Sequence, residues 1–481
     1  MKPLRLLAWM VLSLSACACA RFGENSQRAR MQALPPIRQT LADALPRFDN
    51  QQWPAAAWWK QFGNPALSRL IETALAGNPD LKAAEARLRQ SQAMVDSQAA
   101  ELYPTVDANI GFSAQRFSAN STQAKLAGEN FRQLLITPLI LRYHLDFWGR
   151  DRAALQGAVD RSLSAAAELA DARLLLAAAL AGAYFDLLAA DAQLDIAGNI
   201  VNRSQTLLKL RQTGLDAGLS AAAPVLQAGM ELKQARQIQA ASRAEAALQR
   251  NLLAALAGKG ADWGREIRIE AGTCAEQAVL PSDLPLRLLA HRPDISAARL
   301  QAEAAAEEIK VAETAFYPDV NLIAFTGLHS VSLSDVLLQG ASLAYAVGPS
   351  IEFPIFEGGR LRANLSYQQA AYDRSVERYN ASLVQAVREV ADSVSRWRET
   401  GQRLAEQTQI LADAAASEQL AASLDRAGLT DKAALIQAGL VKDQQQFRLA
   451  ALRAEQCKSA VRLIKALGGG YTDGDPQPSG Q

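Results

Sequence analysis

Four short stretches of the chain alternate apolar and polar residues with a period of two. In the first, Val106, Ile110 and Phe112 alternate with Asp107 and Asn109. This alternation predicts strands with one apolar and one polar face, which suits a barrel with lipid outside and water inside. A soluble β-hairpin is the alternative on pattern alone. The predicted strands span about 105–117, 138–147, 319–329 and 342–353, and the polar loops 118–137 and 330–341 are the expected extracellular caps.

A long proline-free stretch follows each pair of strands and carries an apolar residue at every seventh position. Leu180, Leu187 and Leu194 show this spacing in the first stretch, and Val376 and Leu383 begin it in the second. Sevens sustained over several turns predict a coiled-coil seam. A helix of about 60 residues is on the order of 90 Å long, which suits a tube that crosses a compartment.

Each long helix is predicted to reverse at a glycine, because glycine accepts a positive φ at little cost. The reversals are Gly218-Leu219 and Gly428-Leu429. Antiparallel return helices are expected at 219–257 and 430–467.

The chain is also a tandem duplication. Pro79 and Pro293, which begin two matching helices, lie 214 positions apart (293 − 79). Gly218 and Gly428 lie 210 apart (428 − 218). Spacing held over this length indicates two copies of one unit, each a helix, two strands and a long helical hairpin. The predicted segments are a signal peptide (1–16), an N-terminal segment with the first helix (17–78), the first repeat (79–258), a connector (259–292), the second repeat (293–468) and a disordered tail (469–481).

The N-terminus has the pattern of a bacterial lipoprotein signal. Lys2 and Arg5 precede a short apolar run that ends in Leu14-Ser15-Ala16-Cys17. This predicts cleavage before Cys17 and a covalent lipid on that residue. An ordinary cleavage site beside a chance cysteine is the alternative. Cys19 is the weaker candidate.

Composition excludes several classes of function. With 50 basic and 49 acidic residues, the chain shows no charge bias towards nucleic acid. The longest apolar run after the signal, 174–185, is too short to span a bilayer as a helix. The sequence shows no catalytic, metal or cofactor pattern, since His144, His291 and His329 lie far apart. Pairing of Cys274 with Cys457 is left open.

Several segments together resemble the outer-membrane factor (TolC-like) family, in its lipoprotein subgroup (NodT-type). They are WWKQFGNPAL at 58–67, LDFWGR at 145–150, HRPDI at 291–295 and FPIFEGGR at 353–360. The resemblance covers about 40–468. It implies a mainly helical fold with a membrane β part, in which a trimeric 12-stranded barrel continues into a helical coiled-coil barrel. It also implies the function of a non-enzymatic exit duct in the outer membrane, extending into the periplasm.

Physical reasoning supports a trimer, because four strands cannot close a membrane barrel and three copies supply twelve. The resemblance further implies a periplasmic adaptor and an inner-membrane transporter as partners. It makes the two tips, Gly218-Leu219 and Gly428-Leu429, the expected adaptor-docking surface. The alternative is that these tips are turns only.

A gate is expected at the tips, because an idle open duct would leak. With the 210-residue offset, Asp216 corresponds to Arg426, so these charges are candidates for a pair between neighbouring hairpins. Asp425 and Asp431 are candidates for an acidic ring instead. Solvated charges at helix ends are the simpler interpretation.

Two other functional classes remain at this stage. A periplasmic coiled-coil scaffold lipoprotein would need no membrane strands. An enzyme acting on cell wall or drug would need convergent titratable groups. The exported substrates and the class of pump are not encoded in any of these patterns.

Overall fold

The computed structural model describes residues 28–36, 53–116, 118, 120, 130–270, 291–330 and 342–472. Within these ranges the chain forms one four-stranded sheet and two long helical hairpins. The helices are α1 (Pro65–Gly77), α2 (Pro79–Ala100), α3 (Arg150–Asp216), α4 (Ala222–Leu256), α5 (Ala261–Gly264), α6 (Pro293–Thr314), α7 (Arg360–Arg426) and α8 (Lys432–Ala466). The strands are β1 (Thr105–Arg116), β2 (Asn130–His144), β3 (Asp319–Ser330) and β4 (Leu343–Glu352).

The duplication predicted from the sequence has its counterpart in the backbone. The helices α2 and α6 have 22 residues each, and the long helices α3 and α7 have 67 each. The return helices α4 and α8 have 35 residues each. At 1.5 Å per residue the long helices extend roughly 100 Å, so the predicted architecture of strands and long hairpins is confirmed.

The four strands form one antiparallel sheet in the order β1-β2-β3-β4. The middle pairing, β2 with β3, joins the first repeat to the second. Within the described residues β1 and β4 are therefore the edges of the sheet. Unpaired edges expose a row of backbone donors and acceptors that require a partner.

One strand boundary differs from the sequence prediction. Strand β2 begins at Asn130 and ends at His144, whereas the alternation placed it at 138–147 and assigned 118–137 to a loop. Proline lacks a backbone N–H and is disfavoured inside a ladder, yet β2 runs through Pro138. In the structure the pairing of β2 with β3 shifts register between Ile136 and Leu139, and this irregularity accommodates the proline.

The main core lies around the middle of α3, between Leu174 and Ala190. A 3-10 turn (Trp58–Phe62) and α1 pack against it, and Phe62, Tyr184 and Phe185 are almost completely buried. The rings of Phe62 and Phe185 lie 5.2 Å apart. One window of α3 is long and apolar enough to cross a membrane, with a mean hydropathy of 1.6. Because 56% of that window is buried inside the chain, its apolar character is that of a core helix.

The helices of the two hairpins lie side by side. Helix α3 contacts α4 and α8, and α7 contacts α8. Their order is therefore α4–α3–α8–α7, with α4 and α7 at the two edges. This order decides which charges of the two tips meet inside one chain.

Candidate functional site

The two helical reversals have nearly identical geometry. Gly218 has a φ of 76° and Gly428 a φ of 71°, both in the left-handed region. At each tip the residue after the glycine donates its N–H back to the helix, Leu219 to the Gly214 carbonyl at 2.8 Å. Leu219 is 86% exposed and Leu429 is 75% exposed. Each hairpin end therefore displays one exposed leucine.

The second tip carries a cap that the first lacks. The Asp431 side chain accepts from the N–H of Ala434 at 2.8 Å and so begins α8. The corresponding residue of the first repeat, Ala221, makes no side-chain cap. Asp431 also lies 3.6 Å from Arg211 of α3, so it links the second tip to the first hairpin.

The other gate candidates lie at the ends of the two long helices. Asp216 is the last residue of α3, and Arg426 is the last residue of α7. The Arg426 guanidinium donates to the Ala422 carbonyl and the Ser423 hydroxyl of its own helix, each at 3.2 Å. Helix α8 lies between α3 and α7. Among the described residues no contact joins Asp216 to Arg426 within one chain. The pairing therefore stays a prediction about neighbouring copies in an assembled ring.

Deeper in the hairpins, a charged network missed by the sequence reasoning joins three helices. Arg203 of α3 contacts Glu418 of α7 and Asp443 of α8, each at 2.8 Å, and Lys442 also contacts Glu418. Burial raises the pKa of Glu418, but the hydrogen bond from Lys442 and the charge of Arg203 outweigh it and leave that pKa below its ordinary value. Burial raises the pKa of Asp443 above its ordinary value despite Arg203.

A glycine makes room for this network. A Cβ added to Gly439 of α8 would lie 1.9 Å from the Nη1 atom of Arg203. The corresponding glycine of the first repeat, Gly229, would meet open space. The available sequence signal was a charged residue on α3 together with a glycine and an acid on α8 and a further acid on α7.

At the other end of the hairpins, residues 28–36 run along α7. The N–H of Ala29 donates to Asp373 at 2.8 Å, and the N–H of Gln32 donates to Asn380 at 2.9 Å. Lower residue numbers on α7 lie nearer the sheet, so the segment approaches the sheet as it runs back towards Cys17. Cys17 and Cys19 lie outside the described residues.

The histidines occupy separate environments. His144 lies at the junction of sheet and helices, where it contacts Asp151 and, at 3.3 Å, Asp319. His291 stacks on Trp53 with ring centroids 4.0 Å apart, and His329 lies 3.4 Å from Thr137. Within the described part of the chain no group of three or more His, Cys, Asp or Glu residues forms a metal-binding arrangement.

The one described cysteine is Cys457. It is 1% exposed in the main core and is disulfide-bonded. Its bonding partner and Cys274 both lie outside the described residues.

A small amphipathic sheet continued by two hairpins of about 100 Å defines the class of outer-membrane channels with a helical extension. Comparison with known proteins supports this class. The family model described as outer membrane efflux protein matches twice, at residues 70–259 and 284–469. The two matches coincide with the two structural repeats.

Individual relatives give the same result over nearly the full chain. A fusaric acid resistance protein of Burkholderia cepacia is 33% identical over 99% of this chain and 90% of its own length. A multidrug resistance outer membrane protein of Escherichia coli K12, MdtP, is 30% identical over 98% of this chain and 97% of its own. Among solved structures, the outer membrane protein VceC of Vibrio cholerae has a TM-score of 0.79 at 31% identity, covering 87% of this chain and 100% of that one.

The chain therefore belongs to the outer membrane efflux protein family. Its location is the outer membrane with an extension into the periplasm, and its function is transport as the outer-membrane channel of an efflux system. The family is one of channels and not of enzymes, which removes the enzyme alternative. The membrane sheet removes the alternative of a scaffold without membrane strands.

Proposed function

We propose that the chain is one third of a homotrimeric duct, which passively conducts small molecules from an inner-membrane pump across periplasm and outer membrane. The observation that carries this proposal is the four-stranded sheet, whose two edges, β1 and β4, have no strand partner among the described residues. Backbone groups at a lipid-exposed edge cannot be satisfied by water. Membrane barrels begin at eight strands, so three copies, with twelve strands, close what one copy leaves open.

The exposed side chains of the sheet support a lipid-facing role. On β1, Val106, Ile110 and Phe112 are exposed at alternate positions, and on β4 so are Tyr345 and Val347. Each strand thus presents one apolar face outwards, which is the expected arrangement in a barrel wall.

The exported molecules are proposed to be small organic compounds, including drugs. The names of relatives motivate this class: one is a fusaric acid resistance protein, and another is the toluene efflux pump outer membrane protein of Pseudomonas putida. The duct itself needs no chemical site for such cargo, so selection is assigned to the pump.

The partners proposed for the tips are periplasmic adaptor hairpins, which would connect the duct to the energised inner-membrane transporter. Leu219 and Leu429 provide the apolar contacts, since both leucines are largely exposed at rigid turns. Exposed apolar residues of this kind mark surfaces that bind a partner. The two tips differ in charge and cap, so they offer two related docking surfaces.

A lipid on Cys17 is proposed to anchor the chain at the inner leaflet of the outer membrane. The segment from Arg28 runs towards the sheet, and Arg28 lies 3.8 Å from Glu313 near the sheet end of α6. Cys17 and Arg28 lie 11 positions apart (28 − 17), and an extended chain of that length reaches up to about 37 Å. The anchor can therefore reach the membrane surface next to the barrel.

The lipid proposal has a direct test in Cys17→Ser. Labelled palmitate should be lost completely from the mature protein, whereas drug export should fall only in part because the barrel also holds the protein in the membrane. Cys19→Ser is the matched control and should keep the label. Label that persists on Cys17→Ser would contradict the assignment.

The tips are also proposed to hold the resting gate. Asp216 and Arg426 would pair between neighbouring hairpins. The alternative is an acidic ring, in which Asp425 and Asp431 would instead hold cations at the constriction. Each exposed pair contributes only about 0.2–1 kcal/mol. Three pairs around a ring could bias a closed state by a few kcal/mol if they act independently.

Export itself is tested by placing the gene in a strain that lacks its own outer-membrane efflux channel but retains the adaptor and transporter of this system. The expected result is a heat-modifiable trimer in the outer-membrane fraction and restored drug resistance. Trimer without restored resistance, despite intact partners, would contradict the export function.

A further inference from the structure

In the distal half of the hairpins, helices α4 and α7 are the edges of the helix order α4–α3–α8–α7. Inside this order, α3 and α8 pack against each other. In the duplicated units α3 corresponds to α7, and α8 corresponds to α4. The contact between α3 and α8 could therefore be repeated between α7 of one copy and α4 of a neighbouring copy.

The interior contact lies in an apolar cluster that contains several alanines and four large side chains, one of which is Leu207 of α3. Ile200 of α3 and Ile436 and Leu440 of α8 belong to one cluster, and each is less than 9% exposed. These residues define the register in which α3 and α8 meet.

Three of these four large residues, Ile200, Ile436 and Leu440, have large apolar counterparts at the edges, 210 residues away in the other repeat, whereas Leu207 has Ser417. The apolar counterparts are Ile410 on α7 and Leu226 and Met230 on α4. In one chain these side chains are 46%, 69% and 58% exposed. Edge residues that repeat a buried core pattern but lie open to solvent indicate a contact completed by another molecule.

The charges at the edges complement each other in the same register. Inside the chain, Arg203 of α3 pairs with Asp443 of α8 at 2.8 Å. The corresponding residues are Asp413 on α7 and Lys233 on α4, so the signs are exchanged and remain opposite. Both are exposed. The long basic side chain and the short acidic side chain exchange helices. The summed length of the two side chains therefore stays nearly the same.

We propose that α7 of one copy packs against α4 of the next in the register used by α3 and α8, with Asp413 paired to Lys233 of the neighbouring copy. This inference rests on the proposed trimeric duct and adds the residues that join its copies. The contact is head-to-tail, so it propagates around a ring and closes after three copies. The apolar residues Leu226, Met230 and Ile410 would then be buried beside the pair.

Duplication alone does not produce this complementarity. A second interior pair, Lys458 of α8 with Asp186 of α3 at 2.7 Å, has Leu248 and Arg396 as its counterparts. Those residues cannot form an ion pair. The exchanged charges at 233 and 413 are therefore a specific feature of this level of the hairpins.

Proximity is tested by crosslinking the full-length protein in membranes. The variant Lys233→Cys/Asp413→Cys, treated with a short bis-methanethiosulfonate reagent, should give covalent dimers and trimers on denaturing gels. The control Lys209→Cys/Asp413→Cys should give none, because Lys209 is an exposed residue of α3, which is flanked on both sides within its own chain. Each single-cysteine variant reports any crosslink through the native cysteines.

Charge exchange tests whether the pair stabilises the ring. Lys233→Glu and Asp413→Lys should each lower the temperature at which the trimer dissociates in detergent, and the double variant Lys233→Glu/Asp413→Lys should recover most of that shift. The control Lys209→Glu should leave the temperature unchanged. Recovery in the double variant is a result that a merely local helix effect would not give.

The outcomes separate this pairing from the function it rests on. Trimers that export drug but neither crosslink at 233/413 nor show recovery would overturn the pairing and leave the duct intact. A chain that neither forms trimers nor supports export would overturn both.

Discussion

The two hairpins of this molecule have the same backbone and different chemistry. Their helices match residue for residue in length, and their glycine turns have φ angles within a few degrees. Yet the second hairpin contributes Glu418, Lys442 and Asp443 to a charged network, where the first has Leu208, Leu232 and Lys233. Duplication thus supplied the scaffold of a tube. The sequence differences between the two repeats decide which helix faces pack together inside one chain.

The comparison also distinguishes two kinds of surface, one within the return helices and one at the tips. Gly439 and Gly229 occupy corresponding positions, but only Gly439 lies under an arginine. Leu219 and Leu429 also correspond, and both remain exposed. Positions at which the two hairpins carry different residues are expected to act in packing and gating. Positions at which they carry the same exposed residue are expected to share a role in docking.

The largest effect is expected at the surface the hairpins share. Leu219→Asp/Leu429→Asp should leave the trimer assembled but abolish adaptor crosslinking and drug resistance, because two apolar contacts per chain become charged. Resistance assays and in-cell crosslinking measure this. The single variants should each retain part of the resistance. Normal adaptor crosslinking in the double variant would remove the docking role.

The two glycines should respond in opposite directions. Gly439→Ala should destabilise the protein by about 1–3 kcal/mol, because its Cβ would displace Arg203 from its two acids. Gly229→Ala should stabilise it by about 0.5–1 kcal/mol, since alanine is the better helix former and nothing in the chain opposes it.

Chemical unfolding followed by circular dichroism measures both changes. In the double variant Arg203→Leu/Gly439→Ala, the added cost of the alanine should disappear, because the two residues are coupled. Equal effects of Gly439→Ala and Gly229→Ala would contradict the packing difference between the hairpins.

Stability should depend on pH through Asp171 in the main body of α3. Burial and the charge of Asp294 raise its pKa from 3.8 to about 6. The folded state therefore holds this proton more tightly, so the associated stability is present below pH 4 and lost as the pH rises through 6. Asp171→Asn should unfold at higher denaturant concentration above pH 6, by roughly 2–3 kcal/mol, and converge with the parent near pH 4.

The control for this pH effect is Asp195→Asn, at an exposed position on the same helix. Its profile should parallel that of the parent at every pH. A constant difference between Asp171→Asn and the parent across pH 4–7 would show that Asp171 does not titrate as described.

The smallest effect is expected from the gate charges. Asp216→Ala and Arg426→Ala should each raise the conductance of trimers in planar bilayers modestly, and the double variant should add little to either. Asp425→Ala is a useful comparison, because it removes a charge from the acidic-ring alternative alone. Parent-like conductance in both single variants would exclude the charge-pair gate.

Much of the fold could be predicted because its signals are periodic. The apolar residues at every seventh position of the long helices, and the alternation of apolar and polar residues in the strands, each depend on which side of a single element is buried. The start of β2 was missed because the consecutive apolar residues Leu134, Leu135 and Ile136 interrupt the alternation. The register shift between Ile136 and Leu139 shows how the ladder tolerates Pro138. The extent of β2 is set by its pairing with β1 and β3 and not by the preferences of its own residues.

Sites that depend on several elements were less accessible. The tip glycines were predicted because a reversal needs a positive φ at one position. The contacts of Arg203 were not predicted, because they depend on how α3, α8 and α7 are arranged side by side. The same order places α8 between the helices that carry Asp216 and Arg426. Sequence alignment of the repeats alone could not give that separation.

The central claim, that three copies close a conducting duct across the outer membrane, is tested most directly by purifying the lipidated protein and adding it to planar lipid bilayers. Discrete conductance steps from a species with the mass of a trimer are the predicted result, and Lys233→Glu should reduce their frequency. A protein that stays monomeric and leaves the bilayer silent, while correctly folded by circular dichroism, would contradict the claim.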